Sequence, residues 1–209
     1  MELEIEPLDL DLTLGCGQTF RWRRVDDGSW IGPVGGRLYT LSKTGGTLSI
    51  SARPGSALAA EEIARHLRTG DDIDRIQRVL SRDPVLGTGI YGMRGLRIVK
   101  MDEWECLVSF ALAPHANIPR ISKMIDSLAK NYGKRIAPGV HAFPDHGRLS
   151  KASARELRRL GLGYRADHVK GICESVDPDA VDRMTRMDSV RLREGLKELP
   201  GVGDKVADC

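Results

Sequence analysis

The chain has few cysteines and no pattern among them. Cys16, Cys106, Cys173 and Cys209 are the four in 209 residues. No two form C-x-x-C and none has a histidine at ligand spacing, which argues against structural zinc within these residues. Free, mostly buried thiols of a reducing compartment are expected instead. No apolar run approaches the length of a membrane-spanning helix. The start, MELEIEPLDL, is acidic where a secretory signal would be basic and then apolar, so an intracellular, untethered chain is expected. The formal net charge is only +3, too mild to announce nucleic acid by itself.

What is present is the composition of a globular chain with a real core: 41% hydrophobic, 29% charged and a mean hydropathy of -0.29. The charge is unevenly spread. Residues 118–135 carry Arg120, Lys123, Lys130, Lys134 and Arg135 against Asp126 alone. Residues 148–170 carry Arg148, Lys151, Arg155, Arg158, Arg159, Arg165 and Lys170 against Glu156 and Asp167. Such segments are usually solvated helix faces and point to nucleic acid only in combination with a motif.

The hydropathy pattern changes along the chain. Leu8, Leu10, Leu12 and Leu14 alternate with Asp9, Asp11 and Thr13, the period of a half-buried strand. Gly28, Gly35-Gly36 and Gly45-Gly46 separate short segments around Trp30, Leu38 to Leu41 and Leu48 to Ile50, as in an antiparallel meander. After Pro54 the spacing becomes helical, over residues 57–67 and 73–80. The glycine-rich stretch 87–97 reads as a loop and hinge. Helical periodicity then continues over 103–112, 118–132, 151–160, 165–176, 179–187 and 189–199. Strands followed by helices predict an α+β fold: an antiparallel β domain with two helices over 1–100, and a helical domain over 101–209.

The stretch that carries chemistry closes the sequence. An amphipathic helix ends at Leu199-Pro200, Gly201-Val202-Gly203 permits a tight turn, and Asp204 is placed to cap or open a second helix. In a helix-hairpin-helix of this kind the main-chain N–H groups of Gly201, Val202 and Gly203 are candidates to dock a DNA phosphate without reading sequence. Lys205 follows, in the first helical turn, where the helix dipole disfavours a positive charge. A lysine there is either a phosphate contact or a nucleophile. The dipole, and burial if present, would favour the neutral amine that Schiff-base chemistry needs.

The hairpin, with Asp204-Lys205-Val206-Ala207-Asp208-Cys209 after it, resembles the signature of the 8-oxoguanine DNA glycosylase family, within the helix-hairpin-helix glycosylases. Gly15-Cys16-Gly17-Gln18-Thr19-Phe20-Arg21-Trp22 resembles that family's N-terminal signature. Leu160-Gly161-Leu162-Gly163-Tyr164-Arg165-Ala166 resembles its central one, in the same order and at similar spacing. The resemblance spans nearly the whole chain. It implies base-excision repair by a bifunctional glycosylase and lyase, in which Lys205 attacks the sugar C1′ of a flipped nucleotide and forms a Schiff base that leads to β-elimination. It implies that the main-chain carbonyl of Gly17 recognises the N7 proton that 8-oxoguanine has and guanine lacks, and that Cys209 packs against the extruded base. Tyr164 matches the wedge beside the vacated position, and Arg120 and Arg165 match the residues that hydrogen-bond the estranged cytosine.

Where the family places an asparagine to fill the hole in the duplex, this chain has His115, with Asn117 two residues on; both remain candidates. The implied partner is double-stranded DNA containing 8-oxoguanine opposite cytosine, bound by a monomer with no membrane association and no cofactor. Two other readings stand beside this one: a non-catalytic DNA-binding module, and a glycosylase for alkylated purines. The family's catalytic aspartate falls beyond Cys209. Residues 1–209 are therefore expected to be a fragment that grips duplex weakly through its basic segments and does not excise the base.

Overall fold

The computed structural model describes the backbone of residues 1–209 and every side chain except those of Pro178 and Asp182. It divides into two compact units, Met1–Met101 and Asp102–Cys209. The first unit holds a five-stranded antiparallel sheet of β1 (Glu2–Glu4), β2 (Arg23–Arg24), β3 (Trp30–Val34), β4 (Arg37–Thr44) and β5 (Thr47–Arg53) in the order β1-β5-β4-β3-β2. The meander expected around Trp30, Leu38 and Leu48 is therefore present. Its β3–β4 turn places Gly35 and Gly36 at φ +54° and +77°, the mirror-image geometry that matches strand twist and that residues with a Cβ resist. Tyr39, Leu41, Leu48 and Ile50 alternate inward on β4 and β5 and are almost completely buried, with Leu41 opposite Ile50.

The alternating leucines are the main departure from expectation. Residues 8–14 do not form a strand; Leu10–Gly15 is a helix, α1. Asp9 accepts a hydrogen bond from the Leu12 N–H at 2.8 Å and so caps its start. Leu10, Thr13 and Leu14 are the buried residues, at the three-four spacing of a helix, so the cap and the burial of one helical stripe outweigh the period of two. A second correction concerns residues 87–97. Gly87–Ile90 is a short helix, α4, and Tyr91–Met93 a 3-10 turn, where a loop was expected.

Helices α2 (Ala59–His66) and α3 (Ile73–Leu80) follow the sheet. Ile63 and Leu67 join α1, Trp22, Trp30 and the inward side of β4 and β5 in one apolar cluster. Glu62 on α2 accepts from the Tyr39 hydroxyl and from Arg37 Nη1, which ties the helix to the sheet. His66 completes the attachment. Its Nε2 lies 3.2 Å from Trp22 Nε1, and its Nδ1 lies 2.8 Å from the Lys100 carbonyl. The indole can only donate and the carbonyl can only accept, so the ring is neutral with its proton on Nδ1.

The second unit is helical: α5 (Glu103–Ala111), α6 (Ile118–Tyr132), α7 (His146–Leu149), α8 (Ala154–Leu157), α9 (Arg165–Ser175), α10 (Pro178–Met184), α11 (Ser189–Lys197) and α12 (Asp204–Ala207). A small hairpin, β6 (Arg135–Ala137) and β7 (Val140–His141), interrupts them. Asp102, Asn117, Ser153, Asp177 and Asp188 each cap a helix with their side chains. Helices α9 and α12 start without such a cap. Val108, Leu112, Ile125, Leu128, Leu157, Leu162, Val169 and Ile172 form the interior.

Burial pushes the His66 imidazole below its ordinary range, against a smaller opposing effect of the Lys100 carbonyl. The unfolded chain then takes up a proton first as the pH falls below about 6.5, and the stability His66 contributes above that pH is lost. Thermal unfolding followed from pH 8 to 5 should show a falling midpoint below about pH 6.5. In His66→Phe the midpoint should fall, for a loss of roughly 1–3 kcal/mol of stability from the two hydrogen bonds, and this pH dependence should flatten.

Candidate functional site

Ten of the eleven candidate residues singled out above lie in the second unit; Gly17 lies in the first. Gly17 is half-buried and has φ +91°, a left-handed conformation that glycine adopts freely. The adjacent Gln18 holds this loop. Its Nε2 donates to the carbonyls of Thr13 and Arg97, both at 2.7 Å, and its Oε1 accepts from the Val99 N–H at 2.9 Å. Gln18 stands in the first signature, but nothing in the sequence marked it as the residue that orients the Gly17 peptide.

In the second unit, a π-helical turn over Arg158–Leu162 breaks at Gly161, with φ +91°, and Gly163 follows at φ +62°. These two positive-φ glycines, on either side of Leu162, end one helix and redirect the chain so that Tyr164 stands at the start of α9. Tyr164 is 49% exposed while its neighbour Arg165 is 2% exposed. The Arg165 guanidinium carbon lies 4.5 Å from the centre of the Tyr164 ring. Both side chains reach the same acceptor, the Pro114 carbonyl, which takes hydrogen bonds from Arg165 Nε at 3.2 Å, from Arg165 Nη2 and from the Tyr164 hydroxyl at 3.3 Å.

Pro114 begins the loop that precedes α6, so Tyr164, Arg165, His115 and Arg120 are brought to one region. His115 is exposed at φ +54°. Asn117 is engaged: its Oδ1 accepts from the Arg120 N–H at 3.0 Å as the cap of α6. Arg120 is exposed in the first turn of that helix.

The hairpin has the expected form. The Val202 N–H donates to the Leu199 carbonyl at 3.1 Å, Pro200 occupies the second position of the turn, and Gly201 has φ +79° at the third, the pattern of a type II turn. Leu199 and Val202 are buried and anchor the turn. The Val202 N–H is thereby committed within the turn, while Gly203 is exposed. Asp204 opens α12 and does not cap it. Its carboxylate instead accepts from Arg193 at 2.7 Å and lies 3.2 Å from Lys197, and Asp208 accepts from Arg193 at 2.6 Å. Lys197 and then Arg193 hold the Asp204 carboxyl below the ordinary carboxylate range.

Lys205 is exposed beside this network. Cys209 follows α12 and is also exposed. Among the described residues no group of three or more His, Cys, Asp or Glu could hold a metal ion, and no helix is long and apolar enough to cross a membrane.

The hairpin is seated on α9 at two glycines. A Cβ on Gly171 would lie 2.7 Å from Pro200 Cγ, and one on Gly201 would lie 2.4 Å from His168 Nδ1. Through α9 the turn is therefore joined to Tyr164 and Arg165.

A β sheet followed by a helical unit that closes in a hairpin of this kind defines a helix-hairpin-helix DNA glycosylase fold. The sequence profile of the 8-oxoguanine DNA glycosylase N-terminal domain matches residues 1–107, and the chain belongs to that family. It is 32% identical over 225 aligned residues to "N-glycosylase/DNA lyase OGG1" of Arabidopsis thaliana, an alignment covering 100% of this chain and 61% of the plant protein. It is 36% identical over 133 residues to the "N-glycosylase/DNA lyase" of Saccharomyces cerevisiae, covering 56% of this chain and 35% of the yeast protein. The crystal structure of Clostridium acetobutylicum 8-oxoguanine glycosylase/lyase with double-stranded DNA containing cytosine opposite the lesion superposes with a TM-score of 0.91 at 25% identity, covering 100% of this chain and 77% of that one. The chain thus spans at most 61% of the length of these two curated relatives.

Replacing Gly201 by alanine forces a side chain into a positive-φ position and against His168. Gly201→Ala should lower the stability of the helical unit by about 2–4 kcal/mol, from strain and overlap together. Gly203→Ala, which meets nothing within 4 Å, should cost far less. Urea unfolding of the two variants tests the difference.

Proposed function

We propose that this chain carries the lesion-binding face and the nucleophile of a bifunctional DNA glycosylase and lyase that removes 8-oxoguanine opposite cytosine. The observation that carries the reading is the joining of three elements in one unit: the Tyr164-Arg165 pair, the Pro114–Arg120 loop hydrogen-bonded to it, and the hairpin seated on α9 and followed directly by Lys205. The relatives' names and the bacterial complex support it.

In this reading the N–H groups of Gly201 and Gly203 grip a phosphate, and Val202 shapes the turn rather than donating, since its own N–H is spent on Leu199. Tyr164 enters the stack beside the lesion. His115 fills the vacated position, because Asn117 is occupied as a helix cap. Exposed Arg120 binds the unpaired cytosine, whose edge offers acceptors to guanidinium donors, and Arg165, with Nε and Nη2 on the Pro114 carbonyl, adds its remaining nitrogen, Nη1. The Gly17 carbonyl reads the lesion by charge. It repels the N7 lone pair of guanine and accepts the N7 proton of 8-oxoguanine. Cys209 packs on the extruded base.

Lys205 Nζ, as the free amine, forms a bond to C1′ as the C1′–N9 bond breaks and the base leaves with the bonding pair. Opening of the sugar ring gives a Schiff base, and loss of a C2′ proton then expels the 3′ phosphate. The protein would act inside the cell, where its DNA substrate is.

Two measurements test this. With the protein as its genome encodes it, borohydride and an 8-oxoguanine duplex, a covalent protein–DNA adduct should form, and Lys205→Gln should abolish it. An adduct that persists in Lys205→Gln assigns the nucleophile elsewhere. Arg120→Ala should lower the preference for cytosine over other bases opposite the lesion by about 1–3 kcal/mol, read as ratios of kcat/KM; an unchanged ratio removes Arg120 from cytosine recognition.

A further inference from the structure

His168 takes part in no step above, yet it stands between the two elements that the reading assigns to DNA. It lies one helical turn after Tyr164, so the two side chains share a face of α9. Their rings meet edge to face, with centroids 5.6 Å apart and planes at 78°. The base of the imidazole is pressed against the hairpin, where a Cβ on Gly201 would lie 2.4 Å from Nδ1 and 2.5 Å from Cγ. Gly171, three residues further along the helix, receives Pro200 in the same way. Nδ1 is buried without a hydrogen-bond partner, a cost in free energy that the fold bears to keep a ring at this point.

The consequence is mechanical. The Tyr164 ring is half exposed, and its hydroxyl makes only a 3.3 Å hydrogen bond. Its attitude is set by two contacts, the Arg165 guanidinium over its face and the His168 ring against it. The second of these is in turn braced on the turn. We infer that His168 is a positioning residue that holds the Tyr164 ring at a fixed attitude to the Pro200–Gly201 turn, so that docking of a phosphate on the turn and entry of the ring into the base stack occur as one event. This rests on the reading of Tyr164 as the wedge and of the turn as the phosphate grip.

The test uses the protein as its genome encodes it and a duplex with 2-aminopurine beside 8-oxoguanine, whose fluorescence rises when the neighbouring base unstacks. In His168→Ala the fluorescence rise and the single-turnover excision rate should both fall about threefold to tenfold, the range expected for losing one edge-to-face aromatic pair. Affinity for undamaged duplex should stay within about twofold, because the substitution leaves the N–H groups of the turn in place and no base is unstacked there. His168→Phe, which keeps the ring and loses both nitrogens, should restore both signals. In a Tyr164→Ala background, His168→Ala should cause no further loss.

Additive losses, no rescue by phenylalanine, or a fall in undamaged-duplex affinity as large as the fall in excision would each overturn the inference and leave His168 as a space filler. A wild-type protein that forms a borohydride adduct but gives no fluorescence rise would refute the wedge reading of Tyr164, and the inference with it.

Discussion

The candidate site depends on one close approach, the seating of the Leu199–Val202 turn on α9. Two side chains are missing where the chains meet, at Gly171 and Gly201, and Pro200 and His168 occupy the space. Because the contact is van der Waals on both sides, it has little freedom to slide: a shift of even a fraction of an ångström closes on hard atoms. The helix that follows, opening with Asp204-Lys205, is attached through this contact. So is the link back to Tyr164, at the other end of the same helical turn.

Packing, more than charge, holds the hairpin. Arg193 and Lys197 on α11 reach Asp204 and Asp208 across the turn, but these groups stand in water, where screening and side-chain entropy reduce what an ion pair contributes. Burying a valine or leucine side chain stabilises by about 1.5–3 kcal/mol each, and Leu199 and Val202 are both buried at the turn. The ionic network therefore serves mainly to fix the orientation of a short helix whose attachment is apolar. It also keeps Asp204 occupied beside Lys205. Arg165 is the opposite case: buried, it gives donors to the Pro114 carbonyl and lies over the Tyr164 ring, and that same bond ties the His115 loop to the start of α9.

Much of this could be read from residue order. The glycine pairs at 35–36 and 45–46 punctuate strands where strands exist, Asp102, Asn117 and Asp188 stand just before helices they cap, and Leu199-Pro200-Gly201-Val202-Gly203 makes the turn it predicts. The misreadings have definite causes. The leucines of residues 8–14 satisfy both periods, and the cap by Asp9 together with burial of Leu10, Thr13 and Leu14 favoured the helix. The glycines at 87–97 suggested a loop and hinge, but short helical turns tolerate glycine when neighbouring bonds close. The β6–β7 hairpin went unseen because its strands are only three and two residues long, too short to show a period.

Residue types and their spacing by themselves determined the α+β arrangement, the turn chemistry of the hairpin and the lysine at the start of α12, because backbone conformation, capping and charge on a helix end are local properties; the family was legible only through the resemblance of three short stretches to its signatures. Which of His115 and Asn117 is left free, that Arg165 is buried while Arg120 is exposed, and that His168 joins a tyrosine to a turn more than thirty residues away were decided only by the tertiary structure. Those facts depend on which atoms meet across the fold, and a sequence specifies such meetings only through the packing of the whole unit.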